Sequence, residues 1–235
     1  MAEDIGFHLG DGYLGNYSTK SNPHKYELTY GGNLTDEYDY YNSILLKRKF
    51  KLFGAKFIIR KNEIKNSITC RSLSKALVTF YENTIGIKSG KKLSATIPDI
   101  ILKANKNIQI SFVRGLIDAD GCLTFSKKYK RVSYYPIIEI GLVSKGIIDG
   151  LKLILKRLGF SFSSFIKQPN QNYRCVRAQF CISLSGVCNL EKWMNLIGFK
   201  NRKNIVKYKL WKANGFCPSE NEIRKILKMS GSGKI

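Results

Sequence analysis

The sequence of 235 residues predicts an α+β protein made of two pseudo-symmetric αββαββα halves, each with a four-stranded antiparallel sheet. Two observations predict this architecture. A short motif occurs twice, at residues 6–12 and 115–121, and aligning the copies places Asp11 opposite Asp120, 109 residues further along the chain. On both sides of the middle of the chain, helical spacing and two-residue alternation of apolar side chains then follow each other in the same order.

Each motif predicts a helix that packs closely on its counterpart. Small residues stand four apart on one face of both helices. These are Gly6 and Gly10, and Gly115 and Ala119. Helices with such bare faces can approach closely, so their C-terminal ends, and with them Asp11 and Asp120, are expected side by side. The glycine after each acid, Gly12 or Gly121, suits the left-handed conformation that ends many helices.

The elements of the first half follow from local patterns. Alternating side chains around a turn-like cluster at residues 21–24 predict a strand pair, a helix-like spacing of aromatic and leucine residues predicts a helix, and renewed alternation predicts a second strand pair before a third helix. The predicted ranges are Met1–Asp11, Thr35–Phe53 and Leu73–Thr84 for helices, and Gly12–Lys20, Lys25–Tyr30, Lys56–Lys61 and Ile64–Ser72 for strands.

The second half repeats this order after its own motif helix. The predicted strands are Cys122–Lys128, Tyr135–Val143, Phe160–Lys167 and Arg174–Leu184, and the predicted helices are Ile147–Leu158 and Val187–Leu196. A basic helical segment, Val206–Asn214, and a capping box at residues 218–222 predict a helical extension, to which we assign no chemistry. The predicted domains are residues 1–87, a linker at 88–107, residues 108–200, and the extension at 201–235.

Two of these patterns disagree about which way a cysteine in each half faces. Similar runs at residues 69–74 and 180–185 make Cys70 equivalent to Cys181. The alternation of side chains, however, places Cys70 toward the core and Cys181 away from it. Because a slip of one residue exchanges the two faces of a strand, one of these assignments is expected to be wrong.

The two acids predict a cation site. Two carboxylates at helix C-termini repel each other and meet the negative ends of both helix dipoles, so a positive group is expected between them. Mg²⁺ suits carboxylate oxygens and keeps water and phosphate oxygens as further ligands. The alternative is a pair of ordinary helix ends with solvated Asp side chains. Two copies in one register favour the cation site.

Residues 115–121, Gly-Leu-Ile-Asp-Ala-Asp-Gly, resemble the signature of the LAGLIDADG homing endonucleases. The first copy keeps Gly6, Asp11 and Gly12 and departs elsewhere, as in the monomeric, two-repeat members of the family. The run Ile97–Leu102, which leads into the second motif, is similar to the intein-associated and archaeal branch. The similarity extends over nearly the whole chain and implies that the two motif helices form the interface between the halves.

The resemblance also implies which atoms hold metal. In the family each motif acid and the backbone carbonyl just before it are metal ligands, which here are Asp11 with Gly10 and Asp120 with Ala119. The implied ion is Mg²⁺, and Mn²⁺ or Ca²⁺ can occupy the same sites.

Two lysines are candidates for catalysis by the same resemblance. Lys88 and Lys200 both follow an Ile-Gly-apolar triplet after the third helix of their half, and the internal repeat makes them equivalent. In the family a lysine from this region can lie near the scissile phosphate. Binding of a phosphate elsewhere, or capping of a helix, is the alternative for both residues.

One face of each predicted sheet is polar and basic. A two-stranded ribbon fits the major groove of DNA, whose base edges carry a unique pattern of donors and acceptors. The candidate base readers are Arg60, Arg71, Arg177, Gln179 and Glu139, and the candidate phosphate contacts are Lys56, Lys65, Lys127, Lys128 and Lys167. Lys25, Glu27, Thr29 and Thr69 complete the predicted DNA-binding set. For any single one of these residues, a solvated strand position is the alternative.

Composition points to the same partner independently. With 40 Lys and Arg against 17 Asp and Glu, the formal net charge is +23, which predicts a polyanionic partner, most simply nucleic acid. A membrane partner is not expected, because no apolar run approaches the length of a bilayer span. Six cysteines without a Cys-x-x-Cys pair, two His and no secretion signal predict reduced thiols, no zinc site, and an intracellular protein of a prokaryotic cytoplasm or an organelle.

The sequence therefore predicts a monomeric, site-specific endonuclease that cuts double-stranded DNA. Metal held by Asp11 and Asp120 would activate water for attack on one phosphodiester in each strand. By resemblance, the cuts fall across a minor groove and leave short 3′ overhangs. The alternatives are a maturase, a family relative that binds its intron RNA and helps it fold, and a DNA-binding relative that has lost cleavage. Two acids in register favour the enzyme, since binding alone needs neither.

Overall fold

The computed structural model describes residues 1–19, 22–169 and 177–231. This part of the chain is an α+β protein with two four-stranded sheets, in which every strand pair is antiparallel. The predicted fold class is confirmed. None of the described helices combines the length and the apolar character that crossing a bilayer requires.

The first half contains the motif helix, two strand pairs and two helical segments. Its elements are α1 (Ala2–Asp11), β1 (Gly12–Thr19), β2 (Asn22–Asn33), α2 (Leu34–Tyr40), α3 (Leu46–Phe53), β3 (Ile58–Asn62), β4 (Ser67–Ser72) and α4 (Lys75–Thr79). The strands lie in the order β1-β2-β4-β3. A π-helical turn, Tyr41–Leu45, joins α2 to α3, so the single helix predicted there is continuous but locally widened. A second π-helical turn, Phe80–Ile85, extends α4.

The second half has the same order and follows a linker with a short 3₁₀ turn at Lys92–Ser94. The elements from there are α5 (Asp99–Leu102), α6 (Lys106–Asp120), β5 (Gly121–Ser126), β6 (Tyr135–Leu142), α7 (Lys145–Arg157), β7 (Ser163–Lys167), β8 (Gln179–Ser185) and α8 (Val187–Leu196). The strands lie in the order β5-β6-β8-β7, which repeats the first sheet. The predicted start of the last strand, residues 174–176, lies outside the described residues.

Close contact between α1 and α6 organises the molecule. A Cβ atom added at Gly6 would lie 2.1 Å from the carbonyl oxygen of Phe112, and one added at Gly115 would lie 1.9 Å from that of Glu3. Real Cβ atoms do not approach backbone so closely, so both positions require glycine. The predicted packing of the two motif helices through their small residues is thereby confirmed.

The glycines after the two acids have a different role from the one expected. Gly12 has φ −76° and Gly121 has φ −90°, so both are extended and begin strands rather than adopting the left-handed conformation. Space explains them instead. A Cβ at Gly12 would lie 2.3 Å from Nδ1 of His8, and one at Gly121 would lie 2.7 Å from Cγ2 of Ile117.

The conflict over Cys70 and Cys181 is settled by strand register. Cys70 pairs with Tyr30 in the first sheet, whereas Ile140, the counterpart of Tyr30, pairs with Ile182 rather than Cys181. Both facings predicted from alternation are therefore right, and the internal match was one residue out of phase. Ile64, the first residue of the predicted strand Ile64–Ser72, lies instead in the turn between β3 and β4 and is 99% exposed.

The C-terminal extension forms α9 (Arg202–Asn214) and α10 (Glu220–Gly231) and contacts both halves. Trp211 packs on Phe125 of the second half at 5.8 Å between ring centroids and donates to the carbonyl of Tyr134. Toward the first half, Arg202 forms an ion pair of 2.5 Å with Asp39. The extension thus packs against α2 and β5 beside the motif helices.

Candidate active site

The motif acids close the two central helices. Asp11 is the last residue of α1 and Asp120 the last of α6. A Cβ added at Gly10 would lie 3.3 Å from Oδ2 of Asp120, so α1 ends directly against the second acid. Asp120 opens into a cleft of about 180 Å³ that is also lined by Lys92, Gly141 and Gln179. The structure therefore brings the two predicted acids together.

Both acids lie in surroundings that disfavour two negative charges. Burial, and after it the charge of Asp120, raises the pKa of Asp11 to about 8. Desolvation by the surrounding protein also raises the pKa of Asp120. Asp120 keeps solvent contact through its cleft. The pair behaves as a site that needs positive charge.

A third acid, Glu37 of α2, stands beside the pair and was not predicted. It is 8% exposed, and its charge further raises the pKa values of Asp11 and Asp120. Glu37 accepts from the backbone N–H of Asn33 at 2.9 Å and from Nζ of Lys203 at 3.1 Å. Its position after a strand end resembles an ordinary helix cap, so the sequence offered no signal that it would face the acids.

Tyr41 also borders the first acid. Its hydroxyl donates to the carbonyl of Gly31 at 2.6 Å and lies 3.4 Å from Oδ2 of Asp11. This residue is the first of the π-helical turn that follows α2. Tyr41 therefore fixes one wall of the site.

The lysines at the acids are Lys92 and Lys203, neither of which was predicted. Lys92 donates to the carbonyls of His8 and Leu9 at 3.0 Å each and also to that of Gly10. The charges of Asp120 and Asp11 act on Lys92, and that of Asp11 acts on Lys203. Lys92 lies four positions after the predicted Lys88, and Lys203 lies three positions after the predicted Lys200.

The two lysines that were predicted are placed elsewhere. Lys200 forms a 2.8 Å ion pair with Glu3, which lies two turns from Asp11 near the N-terminal end of α1. Its backbone N–H donates to Asp118, which ties the start of the extension to α6. Lys88 is exposed and lines a cleft with His8 and Lys92. The structure does not bring Lys200 to the acids, so its catalytic role would need a different arrangement.

The donor set suits a divalent cation only in part. Oxygen atoms of Asp11 and Asp120 are the ligands that Mg²⁺ and Ca²⁺ prefer. Among the described residues, no three carboxylate, imidazole or thiolate groups converge as a preformed cluster. An ion held here would complete its shell with backbone carbonyls, water and substrate oxygens. Of the two carbonyls implied by resemblance, that of Gly10 accepts from Lys92.

In the first sheet, the predicted DNA-binding residues of the strands share one face. Strand register places Thr29 opposite Arg71, and Thr69 opposite both Gly31 and Arg60, while Leu28, Tyr30 and Cys70 fill the buried face. Glu27 accepts from Arg71 at 2.9 Å and from Thr29 at 2.8 Å, and it lies 3.6 Å from Lys25. These contacts prearrange the polar face. Lys56 and Lys65 lie outside the strands, before β3 and in the turn that follows it.

The second sheet presents a similar face. Lys167 forms an ion pair with Glu139 and stands opposite Gln179 in the register. Arg177 is exposed just before β8. Lys127 and Lys128 follow the end of β5, and Nζ of Lys128 lies 3.7 Å from the centre of the Tyr135 ring. The role of these residues in DNA binding stays a prediction.

A family comparison matches the second half. Residues 107–198 match the family described as LAGLIDADG-like domain. This range runs from the first turn of α6 to just after α8, so it contains the second motif and the whole second sheet. The resemblance seen in residues 115–121 is confirmed.

Two similar curated proteins come from Methanocaldococcus jannaschii. One is a glutamine–fructose-6-phosphate aminotransferase, 25% identical over 208 residues that make up 88% of this chain. The other is a probable translation initiation factor IF-2, 26% identical over 172 residues, or 72% of this chain. The chain spans only 17% and 13% of the lengths of these relatives.

Solved structures share the fold across both halves. Mesophilic variants of the homing endonuclease I-DmoI match with a TM-score of 0.57 at 18% identity, covering 84% of this chain and 93% of that one. The LAGLIDADG meganuclease I-AabMI, bound to uncleaved DNA, matches with a TM-score of 0.55 at 13% identity, covering 96% and 97%. Further I-DmoI structures contain DNA with Ca or Mn. The predicted two-repeat fold is therefore that of these proteins.

Proposed function

We propose that this chain, with a LAGLIDADG-like domain in its second half and the two-repeat fold throughout, is a site-specific DNA endonuclease that makes metal-dependent double-strand breaks. The observation that carries this proposal is the juxtaposition of Asp11 and Asp120 at the ends of two packed helices, one from each half. A protein that only binds DNA gains nothing from two partly desolvated acids that repel each other.

The acids would hold a divalent ion, Mg²⁺ with Mn²⁺ or Ca²⁺ as alternatives, which when bound supplies an activated water and stabilises charge on the phosphate oxygens. The protein's own contribution is to fix the two carboxylates on rigid helix ends and to keep positive charge beside them. Lys203 is held on Glu37, and Lys92 on the end of α1, where either ammonium can meet a backbone phosphate. One chain provides both acids, so we propose a monomer.

The polar sheet faces would bind the target duplex. Arg71 and Gln179 have the donors that guanine and adenine edges accept, and the lysines suit phosphates. I-DmoI structures with target DNA have this fold, which supports double-stranded DNA as the partner. The maturase, which would bind intron RNA, is the less supported alternative. Action on DNA implies an intracellular location, and its compartment stays a prediction.

The two curated relatives support a self-contained module. An aminotransferase and an initiation factor share no named activity, yet each contains a similar segment of less than one fifth of its length. A segment common to both is not the source of either activity. This pattern favours an inserted domain with its own function, as expected for a homing endonuclease.

The decisive experiment is a selection of cleaved sites from a randomised DNA library in Mg²⁺, repeated with Asp120→Asn. The wild-type chain should enrich one site with breaks in both strands, and Asp120→Asn should enrich none. Binding of the selected site should survive in the variant, because phosphate contacts come from the basic faces. Cleavage by Asp120→Asn at the normal rate would contradict the assignment.

A further inference from the structure

The two ends of the acid site are unequal although the internal repeat relates them. At the α1 end, the ammonium of Lys92 donates to three consecutive carbonyls, of His8, Leu9 and Gly10. At the α6 end, the side-chain amide of Asn201 donates to the carbonyl of Asp118 at 3.0 Å. Among the described residues, no side chain donates to the carbonyl of Ala119. A cation therefore sits on one helix end and a neutral group on the other.

Lys92 occupies atoms that the resemblance gives to metal. The carbonyl of Gly10 is the first-half counterpart of that of Ala119, and Lys92 already binds it. Lys92 comes from the linker, and the residues after the third helix of the second half do not reproduce it: Lys203 binds Glu37, and Asn204 accepts from the backbone N–H of Leu123. The difference is built into the sequence of the two halves.

The two halves also differ in the charge that the helix after their first strand pair places beside the site. Glu37 stands in the first turns of α2, whose N-cap is Asn33, and the equivalent helix α7 has Ser144 as its N-cap. Four residues after the cap, α2 has Glu37 and α7 has Ile148, which is 1% exposed. The first half thus contributes an extra negative charge, which is paired with Lys203.

We propose that the ammonium of Lys92 is a built-in cation on the first-half side of this site. A divalent ion is then held from the α6 side, by the carboxylate of Asp120 and the carbonyl of Ala119. It reaches the carbonyl of Gly10 only by displacing the lysine. This inference rests on the proposed metal-dependent function. An ammonium and a divalent ion a few ångströms apart repel strongly in a partly desolvated site. Until metal arrives, the same ammonium offsets the negative end of the α1 dipole and the charge of Asp120.

The side chain of Lys92 is half-buried against the carbonyls that end α1. Lys92 is a positioning residue here, because it acts on metal through the carbonyls that it occupies.

The test is Ca²⁺ binding to the full chain without DNA, measured by calorimetry, with Lys92→Met and Lys91→Met compared. Both variants lower the net charge by one, and Lys91 is the exposed neighbour of Lys92. Lys92→Met should bind Ca²⁺ at least about tenfold more tightly than the wild type, because a like charge has been removed from the site. Lys91→Met should stay within about twofold, since exposed charges are screened.

Tb³⁺ luminescence gives a second readout at the first acid. The hydroxyl of Tyr41 lies 3.4 Å from Oδ2 of Asp11, so an ion that gains this side of the site should be sensitised by tyrosine. Luminescence should rise in Lys92→Met and not in Lys91→Met. Lys92→Gln keeps an N–H donor for the helix carbonyls without the charge, and it should show the same gain if Lys92→Met folds poorly.

The outcomes separate this inference from the proposed function. If Asp120→Asn abolishes Ca²⁺ binding but both Lys92 variants bind as the wild type does, or more weakly, the built-in cation is wrong and the metal site stands. A lower melting temperature without any change in affinity would show that Lys92 only caps α1, which also overturns the inference. If no variant and no wild-type sample binds Ca²⁺, both proposals fail.

Discussion

Asp11 shows how a single residue makes the site dependent on pH. Burial and the charge of Asp120 raise the pKa of Asp11 from 3.8 to about 8, so the metal-free folded protein holds a proton that the unfolded chain releases. The stability from this proton is complete below about pH 4 and is lost as pH rises through about 8. A divalent ion beside Asp11 disfavours the same proton, so metal binding strengthens with pH over that window.

We therefore expect the rise in melting temperature caused by Ca²⁺ to be larger at pH 8 than at pH 6. The measurement is thermal unfolding at both pH values, with Ca²⁺ and with EDTA. Asp120→Asn is the control, because it removes one acid of the pair and should flatten the difference. An equal Ca²⁺ effect at both pH values would show that the raised pKa of Asp11 does not govern metal binding.

Gly115 tests the closeness of the central helices at one atom. Ala is normally better than Gly inside a helix by about 1 kcal/mol. At Gly115, however, the added Cβ would lie 1.9 Å from the backbone oxygen of Glu3, which cannot move as a side chain can. Gly115→Ala should lower the free energy of unfolding by at least about 3 kcal/mol through overpacking.

Gly31→Ala is the matched control for that substitution. Its nearest contact, the carbonyl oxygen of Ile68, would be 4.0 Å away, so the added methyl group has room. The free energy of unfolding, from urea titration, should change by less than about 1 kcal/mol there. Similar losses for Gly115→Ala and Gly31→Ala would contradict the observed approach of α1 and α6.

The helix α1 also distinguishes the two halves through its buried face. In the first half, Asp4, His8, Tyr30, Lys49 and Tyr81 form a hydrogen-bonded network in which each residue is at most 1% exposed. The equivalent residues of the second half follow from three alignments. The two motifs align the residues of α1, the sheet register aligns those of β2, and the left-handed glycines that end the helices align Lys49 and Tyr81. The equivalent residues are Val113, Ile117, Ile140, Ile154 and Trp193, all similarly buried. One polar core thus corresponds to one apolar core.

The replacement of this polar network by apolar residues in the second half predicts that Asp4 and Lys49, which are 2.7 Å apart, contribute to stability as a coupled pair. Lys49→Met leaves the buried carboxylate of Asp4 with the Tyr81 hydroxyl and with Arg48 at 3.7 Å, and it should cost about 3–5 kcal/mol of unfolding free energy. Asp4→Val with Lys49→Ile copies the second half and should cost clearly less than the two single substitutions added together. Urea unfolding of the four proteins measures the coupling; additive losses would argue against a shared network.

The molecule as a whole was predictable where local pattern determines structure. Alternation gave the facings of Cys70 and Arg71, and small residues gave the packing of α1 on α6. Glu37, Lys92 and Lys203 could not be found in this way, because they belong to a helix start, a linker and an extension whose distance from Asp11 depends on tertiary packing. The π-helical turn at Tyr41–Leu45 has no periodic signal either, yet its first residue, Tyr41, lies at the acid.

Whether the net charge of +23 or the arrangement of the sheet faces governs recognition is the remaining question for the whole molecule. Arg71 lies on the polar face of the first sheet, held by Glu27 at 2.9 Å, whereas Lys225 is exposed on α10. Replacing either by Ala removes one positive charge. If Arg71 makes a bidentate base contact, Arg71→Ala should reduce discrimination between the selected site and a single mismatch by about 1–3 kcal/mol.

If Lys225 contacts DNA phosphates, Lys225→Ala should weaken binding to all duplexes equally. It should also lower the salt dependence of the affinity. The measurement is binding of both variants to matched and singly mismatched duplexes across a salt series, in Ca²⁺ so that the substrate is retained. A loss of discrimination at one base pair places Arg71 over that pair. Equal losses of discrimination from both substitutions would mean that bulk charge, and not the face of β4, determines which sequence the protein binds.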